Sequence, residues 1–215
     1  MPTPHFGKTG PPESRKGRRR RSAKVDGNAR ELILDAAENL IARNGFDATS
    51  TASIASAAYV PKGLVFYYFP AKTDILLALL SERLPIEPFA DVDPLVSPGD
   101  PAASLVNLDT AFNTRDHQVM RVILWREADT HPDVRAHLRR FLDNLGDLTV
   151  RLLKASSPFP VREGTLRACA NAWVSAMFSL AGYERLREQD GLSHRQDEEL
   201  NNVARVVAAG MVQLG

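Results

Sequence analysis

The feature that most limits the fold of this chain is an apolar stripe that repeats every three or four residues between positions 134 and 152. Its members are Val134, Leu138, Phe141, Leu142, Leu145, Leu148, Thr149 and Leu152. This spacing places the side chains on one face of an α-helix and does not fit the two-residue alternation of a half-buried strand. The tripeptide His131-Pro132-Asp133 precedes the stripe and is typical of a helix start.

Similar spacings, separated by glycine and proline breaks, recur along most of the chain. We predict further helices at about 29–44, 51–58, 61–67, 72–84, 102–113, 116–129, 162–188 and 194–213. Asn44-Gly45 ends the first of them, because glycine readily adopts the left-handed conformation of a helix C-terminus. The five prolines between residues 85 and 101 indicate a linker or irregular loop. We find no convincing strand alternation and no internal repeat, so the predicted fold class is all-α.

The charge of the chain is distributed unevenly. Residues 1–24 contain eight Lys or Arg side chains and one Glu, a net charge of +7, whereas the whole chain carries only +1. A basic segment on an acidic body is typical of a protein with a polyanionic partner at one end. Residues 1–27 are rich in Pro, Gly and Ser and lack apolar periodicity, so we predict a disordered basic arm. The alternative is a solvated tail with only nonspecific affinity.

Several functional classes find no support in the sequence. The single cysteine, Cys169, cannot form an intramolecular disulfide, and no apolar run is long enough to span a membrane. No apolar stretch follows the N-terminal Arg run, so a secretory signal is not indicated and a cytoplasmic protein is expected. No nucleophile elbow, P-loop or pair of catalytic carboxylates is found, so neither an enzyme nor a cofactor is predicted. Four residues could be considered as metal ligands: Glu127, Asp129, His131 and His137. Their spacing matches no zinc-binding pattern.

Residues 54–72 combine two short predicted helices and a tight turn, the pattern of a helix-turn-helix. The small residues Ala55, Ala57 and Ala58 let the helices cross closely. The internal packing comes from four apolar residues: Ile54, Val60, Val65 and Phe69. The second helix of such a unit can enter the major groove of DNA, where Lys62 and Lys72 neutralise phosphates. Tyr67 and Tyr68 add hydroxyl groups for backbone contacts. The alternative is an ordinary helical hairpin.

At these residues the chain resembles the TetR family of bacterial regulators. The matching pattern is Asn44-Gly45-Phe46, Ala48-Thr49-Ser50-Thr51, Ile54-Ala55, Val60, Gly63, Tyr68-Phe69, Lys72 and Leu76. The resemblance covers about residues 28–84 and implies a DNA-binding domain there, with its helix-turn-helix at about 50–69. Residues 85–215 would then form a helical ligand-sensing and dimerisation domain.

The resemblance also implies which residues touch DNA. These are Thr51, Lys62, Gly63, Leu64, Tyr67, Tyr68 and Lys72. Thr51, Tyr68 and Lys72 correspond to phosphate contacts, and Lys62, Gly63 and Tyr67 lie on the recognition helix, where they reach bases or backbone.

Four positions depart from the family pattern. Tyr59 stands in the turn where the family usually has Gly, and a bulky residue is strained there if its φ is positive. Leu64 and Phe66 replace a common Thr and a common Tyr, which removes two hydroxyl groups. Ala71 replaces a common Ser and should cap the next helix about 1 kcal/mol less well. We therefore expect the family's fold and binding mode with fewer polar contacts to the DNA backbone, a loss that the basic arm partly offsets.

The candidate ligand site lies on two later helices and consists mainly of large apolar residues. They are His117, Met120, Arg121, Leu124 and Trp125 on one helix, and Trp173, Met177 and Phe178 on another. Aromatic and Met side chains with a few polar groups suit a pocket for an apolar small molecule. The alternative for each of them is plain core. Arg121 and His117 are the most diagnostic, because a buried cation needs a partner or an acidic ligand.

The leading hypothesis is a homodimeric repressor that a small-molecule effector releases from operator DNA. The last two predicted helices carry stripes of small and apolar side chains: Leu166, Ala170, Trp173, Val174 and Met177, then Leu200, Val203, Ala204, Val207 and Met211. In the family such helices pair across the two-fold axis as a four-helix interface, and the alternative is burial within a single chain. An effector between the C-terminal helices would move segment 116–129 against helix 72–84 and change the separation of the recognition helices. The alternatives are an activator, an all-α enzyme, and a binding or scaffolding protein that has lost specific DNA reading.

Overall fold

The computed structural model describes the backbone of residues 15–84, 91–112, 115–192 and 196–213. Side chains are described for residues 28–84, 91–112, 119–184, 186–187, 190–192 and 198–213. Within these residues the fold is all-α and has no strand, which confirms the predicted class. The helices are α1 Arg15–Asn44, α2 Thr51–Ala57, α3 Lys62–Tyr68, α4 Lys72–Arg83, α5 Pro101–Phe112, α6 Arg115–Glu127, α7 Pro132–Ser156, α8 Glu163–Gln189 and α9 Gln196–Gln213, with a short 3-10 helix at Asp93–Leu95.

Helix α1 is longer than the sequence predicted. It begins at Arg15, so residues 15–27 continue its backbone where a disordered arm was expected. Seven of these thirteen residues are Arg or Lys, which are good helix formers, and extending an existing helix is easier than nucleating one. Residues 1–14 of the predicted arm and the side chains of residues 15–27 lie outside the described residues. The helix ends at Asn44, and the φ of 86° at the following Gly45 fits the predicted left-handed terminus.

Helices α1 to α4 share one apolar core, which forms the head of the molecule. Its centre consists of fully buried aliphatic side chains: Ile33, Leu34, Ile54, Val65, Ile75 and Leu79. Ion pairs join the outer faces of α1 and α4, since Arg30 donates to Glu82 at 2.7 Å and Arg83 donates to Asp35 at 2.6 Å. The hydrogen bond from Arg30 stabilises the carboxylate of Glu82 and lowers its pKa. The first and last helices of the head are thereby held in one arrangement.

Helix α7 is the centre of the remaining part, the body, and α5, α8 and the 3-10 helix pack against it. The large side chains Phe112, Phe141 and Trp173 are fully buried there. Helix α9 packs on α5 and α8. Helices α8 and α9 bury nearly all of the stripes that the sequence offered for a dimer interface inside the subunit, including Trp173, Met177, Leu200 and Met211. These side chains therefore belong to the body core, and other faces of the two helices are left exposed.

Head and body meet along α6, which lies against α1, α4 and α7. A second link joins α4 to α7 directly, because His137 Nε2 donates to the carbonyl oxygen of Leu84 at 2.9 Å. Burial lowers the pKa of His137, which keeps the imidazole neutral at this contact. The head is therefore attached to the body at more than one point.

Candidate DNA interface and ligand cavity

Helix α2 begins with a reciprocal cap between two serines. The Ser53 N–H donates to Ser50 Oγ at 3.0 Å, and the Ser50 N–H donates to Ser53 Oγ at 3.1 Å. Ser50 is therefore the N-cap of α2. Thr49 instead donates its hydroxyl to the Gly45 carbonyl at 2.8 Å, and Thr51, the predicted phosphate contact, lies half-buried in the first turn of α2.

The turn between α2 and α3 has the strain that the sequence predicted. Tyr59 has a φ of 55° and is the only non-glycine residue with positive φ among the described residues. Its N–H donates to the Ser56 carbonyl, and the Val60 N–H donates to the Ala55 carbonyl. This pair of bonds is the Schellman ending of a helix, in which glycine usually occupies the left-handed position. The turn therefore keeps the helix-turn-helix geometry with an unfavourable residue in it.

Helix α3 presents most of the predicted DNA contacts on the surface. Lys62 and Gly63 are exposed at its start, and Tyr67 is 75% exposed. Leu64 and Tyr68 are half-buried, and the Tyr68 ring contacts Tyr67 with centroids 5.1 Å apart. Val65 and Phe69 are buried in the head core. The structure thus brings five of the seven predicted contact residues together on one short helix.

Lys72, the predicted phosphate contact at the start of α4, has partners inside the protein. Its Nζ donates to the Phe46 carbonyl at 2.8 Å and lies 4.1 Å from the centroid of the Phe46 ring. It therefore holds the loop after α1 to the start of α4. Ala71 caps α4 without a side-chain hydrogen bond, as the sequence predicted, and Asp74 accepts the Ala71 N–H at 2.8 Å.

The C-terminal end of α6 binds the end of α1 and the loop that follows it. Arg126 Nη1 donates to the carbonyl oxygens of Ile41 and Ala42, both at 3.2 Å, in the last turn of α1. The buried carboxylate of Glu127 accepts the Phe46 N–H at 2.9 Å. The His131 ring packs edge-on against Phe46, with centroids 4.8 Å apart. We call these contacts of Arg126, Glu127 and His131 the α6 junction.

A cavity of about 1460 Å³ lies between α6, α7 and α8. Its volume exceeds that of most drug-sized sites. The apolar part of the wall includes Trp125, Leu142 and Phe178. Arg121 contributes a buried guanidinium whose central carbon lies 5.7 Å from the Phe112 centroid and 5.9 Å from the Phe178 centroid. Burial lowers the pKa of Arg121, and the charge of Asp109 opposes that effect.

The predicted ligand residues separate into two groups. Arg121, Trp125 and Phe178 line the cavity. Four others are fully buried core residues that do not line it: Met120, Leu124, Trp173 and Met177. They lie on the adjacent faces of α6 and α8, one residue before the positions that line the cavity. Sequence periodicity does not distinguish a face against core from a face against a cavity. The side chain of His117 lies outside the described residues.

Sequence reasoning missed the polar wall of the cavity. It consists of Asp143, Asp147, Arg167, Asn171, Ser175, Ser179 and Glu184. Arg167 on α8 forms an ion pair with Asp147 on α7 at the rim. The recurrence of Arg167, Asn171 and Ser175 at four-residue steps was a usable signal, because it marks a polar face on a helix that is otherwise apolar.

Two further classes of site were searched in the described parts of the chain. No group of three or more His, Cys, Asp or Glu side chains there is arranged to hold a metal ion. Glu127 and His131 belong to the α6 junction, whereas His137 binds Leu84. Over the same ranges no single helix is long and apolar enough to cross a membrane, although the bent pair of α3 and α4 satisfies those criteria when taken together.

Helices α8 and α9 each expose a stripe of mostly short side chains. The positions are Ala168, Ala172, Ser175 and Ser179 on α8, and Asn202, Val206, Ala209 and Gln213 on α9. Both stripes follow the same spacing of four, three and four residues, which defines one helix face. Val206 is 72% exposed, although an aliphatic side chain gains from burial.

Comparison with known proteins identifies the head. The family model described as bacterial regulatory proteins, tetR family, matches residues 33–79, from within α1 to within α4. A fatty acid metabolism regulator protein of Bacillus subtilis (strain 168) is 40% identical over 52 residues, which are 24% of this chain and 27% of that protein. The matched segment thus spans about a quarter of the length of this curated relative.

Solved structures extend the likeness to the whole fold. A TetR-like transcriptional regulator from Rhodococcus sp. RHA1 has a TM-score of 0.64 at 24% identity and covers 85% of this chain and 96% of its own. The transcriptional regulator FadR of Bacillus subtilis, solved in complex with stearoyl-CoA, has a TM-score of 0.60 at 17% identity, covering 84% of this chain and 98% of its own. At these identities the likeness establishes the arrangement of helices in both head and body.

Proposed function

We propose that the chain is a bacterial regulatory protein of the tetR family, whose model matches residues 33–79, and that it is a homodimeric repressor that leaves its operator DNA when a small molecule occupies the cavity of the body. The main support for this proposal is the exposure of α3, a short helix that packs against the head core on one side and is exposed on the other. Its exposed side offers a cation and an aromatic hydroxyl, Lys62 and Tyr67, which are the groups that contact DNA bases and phosphates.

Dimerisation supplies the second recognition helix. The stripes of short side chains on α8 and α9 allow the helices of two subunits to approach closely, as a four-helix interface requires. A two-fold dimer would place its recognition helices about 34 Å apart, one turn of B-DNA. Ser175 and Ser179 belong both to the α8 stripe and to the cavity wall, so a partner on this face would also narrow the cavity opening.

The cavity is proposed as the effector site. Trp125, Leu142 and Phe178 would bury the apolar part of an effector, and Arg121, whose charge already faces that of Asp109, is the buried cation that an acidic group on it could approach. The Bacillus subtilis FadR of similar fold was solved with stearoyl-CoA, an amphipathic anion that fits this description. Stearoyl-CoA is therefore the first probe to test, with free coenzyme A as the matched control for its anionic part.

The α6 junction provides a route from the cavity to the head. Val122 and Trp125 line the cavity, and Arg126 and Glu127, which follow them at the end of the same helix, bind the end of α1 and the Phe46 loop. A displacement of α6 by the effector would change these contacts and reorient the head. The sequence hypothesis had α6 acting on α4, and the polar contacts described above favour the end of α1 instead. The effector must bind the released state more tightly than the DNA-bound state for this to work.

The experiment that tests the proposal is fluorescence anisotropy with duplexes selected from a randomised pool by the full chain. We expect nanomolar binding to a selected palindromic duplex, weaker binding to a scrambled one, and affinity that falls steeply with salt concentration. Lys62→Ala combined with Tyr67→Ala should remove the preference while the protein stays folded and dimeric. Lys154→Ala, at an exposed lysine of α7, is the matched control for loss of one charge.

Two results would contradict the proposal. Equal weak binding to selected and scrambled duplexes would reject specific DNA reading, and full binding by the Lys62/Tyr67 double variant would reject α3 as the reading helix. Deleting residues 1–27 should lower affinity for both duplexes about equally if the arm contacts only the DNA backbone. A reporter gene placed behind the selected duplex distinguishes repression from activation. Deleting the gene for this protein raises reporter expression if the protein is a repressor and lowers it if the protein is an activator.

A further inference from the structure

Phe66 is exposed on α3 although it has no polar group. It is 44% exposed and lies outside the head core that Val65 and Phe69 enter. The family pattern often has Tyr at this position, whose hydroxyl can bind phosphate, and the phenyl ring of Phe66 cannot do so. An aromatic ring left in water on a recognition helix gains free energy only from an apolar contact with its target.

The surroundings of Phe66 form a reading face with a defined shape. Lys62 and Gly63 precede Phe66 by four and three residues, so the three share one side of α3. A Cβ atom added at Gly63 would meet nothing within 4 Å, so the surface of α3 is open at that position. Lys62 Nζ lies 5.7 Å from the Phe66 ring centroid and places a positive charge next to it. The face therefore combines a cation, a gap and an apolar wall.

DNA offers one apolar group that carries sequence information in the major groove, the 5-methyl group of thymine. Phenylalanine is among the side chains that contact it. The positive charge of Lys62 matches the phosphates and the purine acceptors that line the same groove. We infer that Phe66 is a specificity-determining residue that recognises a thymine methyl group in each half of the operator. This inference rests on the proposed DNA-binding function.

The first test of this inference alters the DNA and leaves the protein unchanged. Duplexes selected by the full chain are resynthesised with deoxyuridine in place of one thymine per half-site, which removes only the methyl group. At one thymine position we expect binding to weaken about fourfold for each methyl group removed, which corresponds to the hydrophobic free energy of burying one carbon group. When both half-sites are changed, binding should weaken about 15-fold. The other thymines should tolerate the exchange.

A protein variant then assigns the effect to Phe66. Phe66→Ala should bind the thymine and deoxyuridine duplexes equally, whereas Phe66→Leu, which keeps an apolar side chain, should retain most of the difference. Circular dichroism shows whether each variant is folded. Methyl sensitivity that persists in Phe66→Ala, or its absence at every thymine of the wild-type site, would overturn the inference. If the wild-type chain selects no duplex, the proposed function itself fails, so the two failures are distinguishable.

Discussion

At the residue scale, the helix-turn-helix contains a backbone conformation that opposes its own side chain. Tyr59 is left-handed with a φ of 55°, and the two hydrogen bonds of the Schellman turn hold it there. The ring itself is 96% exposed, so packing contributes little to offset the strain. Residues other than glycine lose about 1–2 kcal/mol in this conformation. Local strain kept at a site of recognition is a common feature of functional surfaces.

This strain leads to a prediction for the turn. Tyr59→Gly should raise the free energy of unfolding by about 1 kcal/mol, because glycine adopts a positive φ without strain and little packing is lost. Urea denaturation followed by circular dichroism measures the change. Tyr59→Ala is the matched control: it removes the ring, keeps Cβ, and should stay near the wild-type value. If the Ala variant gained as much as the Gly variant, the exposed ring and not the backbone would be the source of the instability.

The same scale shows where sequence reasoning stops. The sequence marked Tyr59 as a position that is strained if its φ is positive, because the turn pattern is local and recurs across helix-turn-helix units, and the φ is positive. The separation of Met120 from Trp125 was not, because both are large apolar residues of α6 and only tertiary packing decides which one meets the cavity. Phe66 was noted as a lost hydroxyl, and its exposure became evident only from the packing of α3.

At the element scale, the ends of helices carry the contacts between head and body. The last turn of α1 leaves carbonyl groups without partners inside the helix, and Arg126 binds two of them. Glu127 binds a backbone N–H that lies 81 residues earlier in the chain. Helix bounds were predictable from the sequence to within about two residues outside α1, because each helix has its own stripe and breaks. The α6 junction was not, since nothing local to Glu127 points to Phe46.

At the element scale we predict how much Glu127 of the α6 junction contributes to stability. Glu127→Ala should lower the free energy of unfolding by about 1–3 kcal/mol, because it leaves the buried Phe46 N–H without its acceptor. Glu127→Gln keeps an acceptor oxygen at the same place and should lose clearly less. Urea denaturation measures both, and amide hydrogen exchange at Phe46 should become faster only in the Ala variant. Equal losses in the two variants would mean that the charge of Glu127, and not its bond to Phe46, stabilises the junction.

At the scale of the whole molecule, one chain holds every part of the proposed switch except the second half of its DNA contact. The reading face lies on α3, which packs against α1, and α1 contacts α6 at the α6 junction. Helix α6 also lines the cavity, so all three features belong to a single subunit. Each recognition helix reaches only one half-site, so tight operator binding depends on linking two heads at a fixed distance. The exposed stripes of α8 and α9 are the surface we propose for that link.

The final prediction tests this dependence. Val206→Asp places a charge in the middle of the α9 stripe, where the wild-type side chain is 72% exposed, so the subunit should fold normally. We expect the variant to sediment as a monomer and to bind a selected duplex at least about 100-fold more weakly, because binding of the second half-site is no longer intramolecular. Val206→Thr, which has the same shape without a charge, should remain a dimer with near wild-type affinity. A Val206→Asp protein that still sediments as a dimer would place the interface on another face, whereas a monomer with undiminished affinity would show that a single head is sufficient for operator binding.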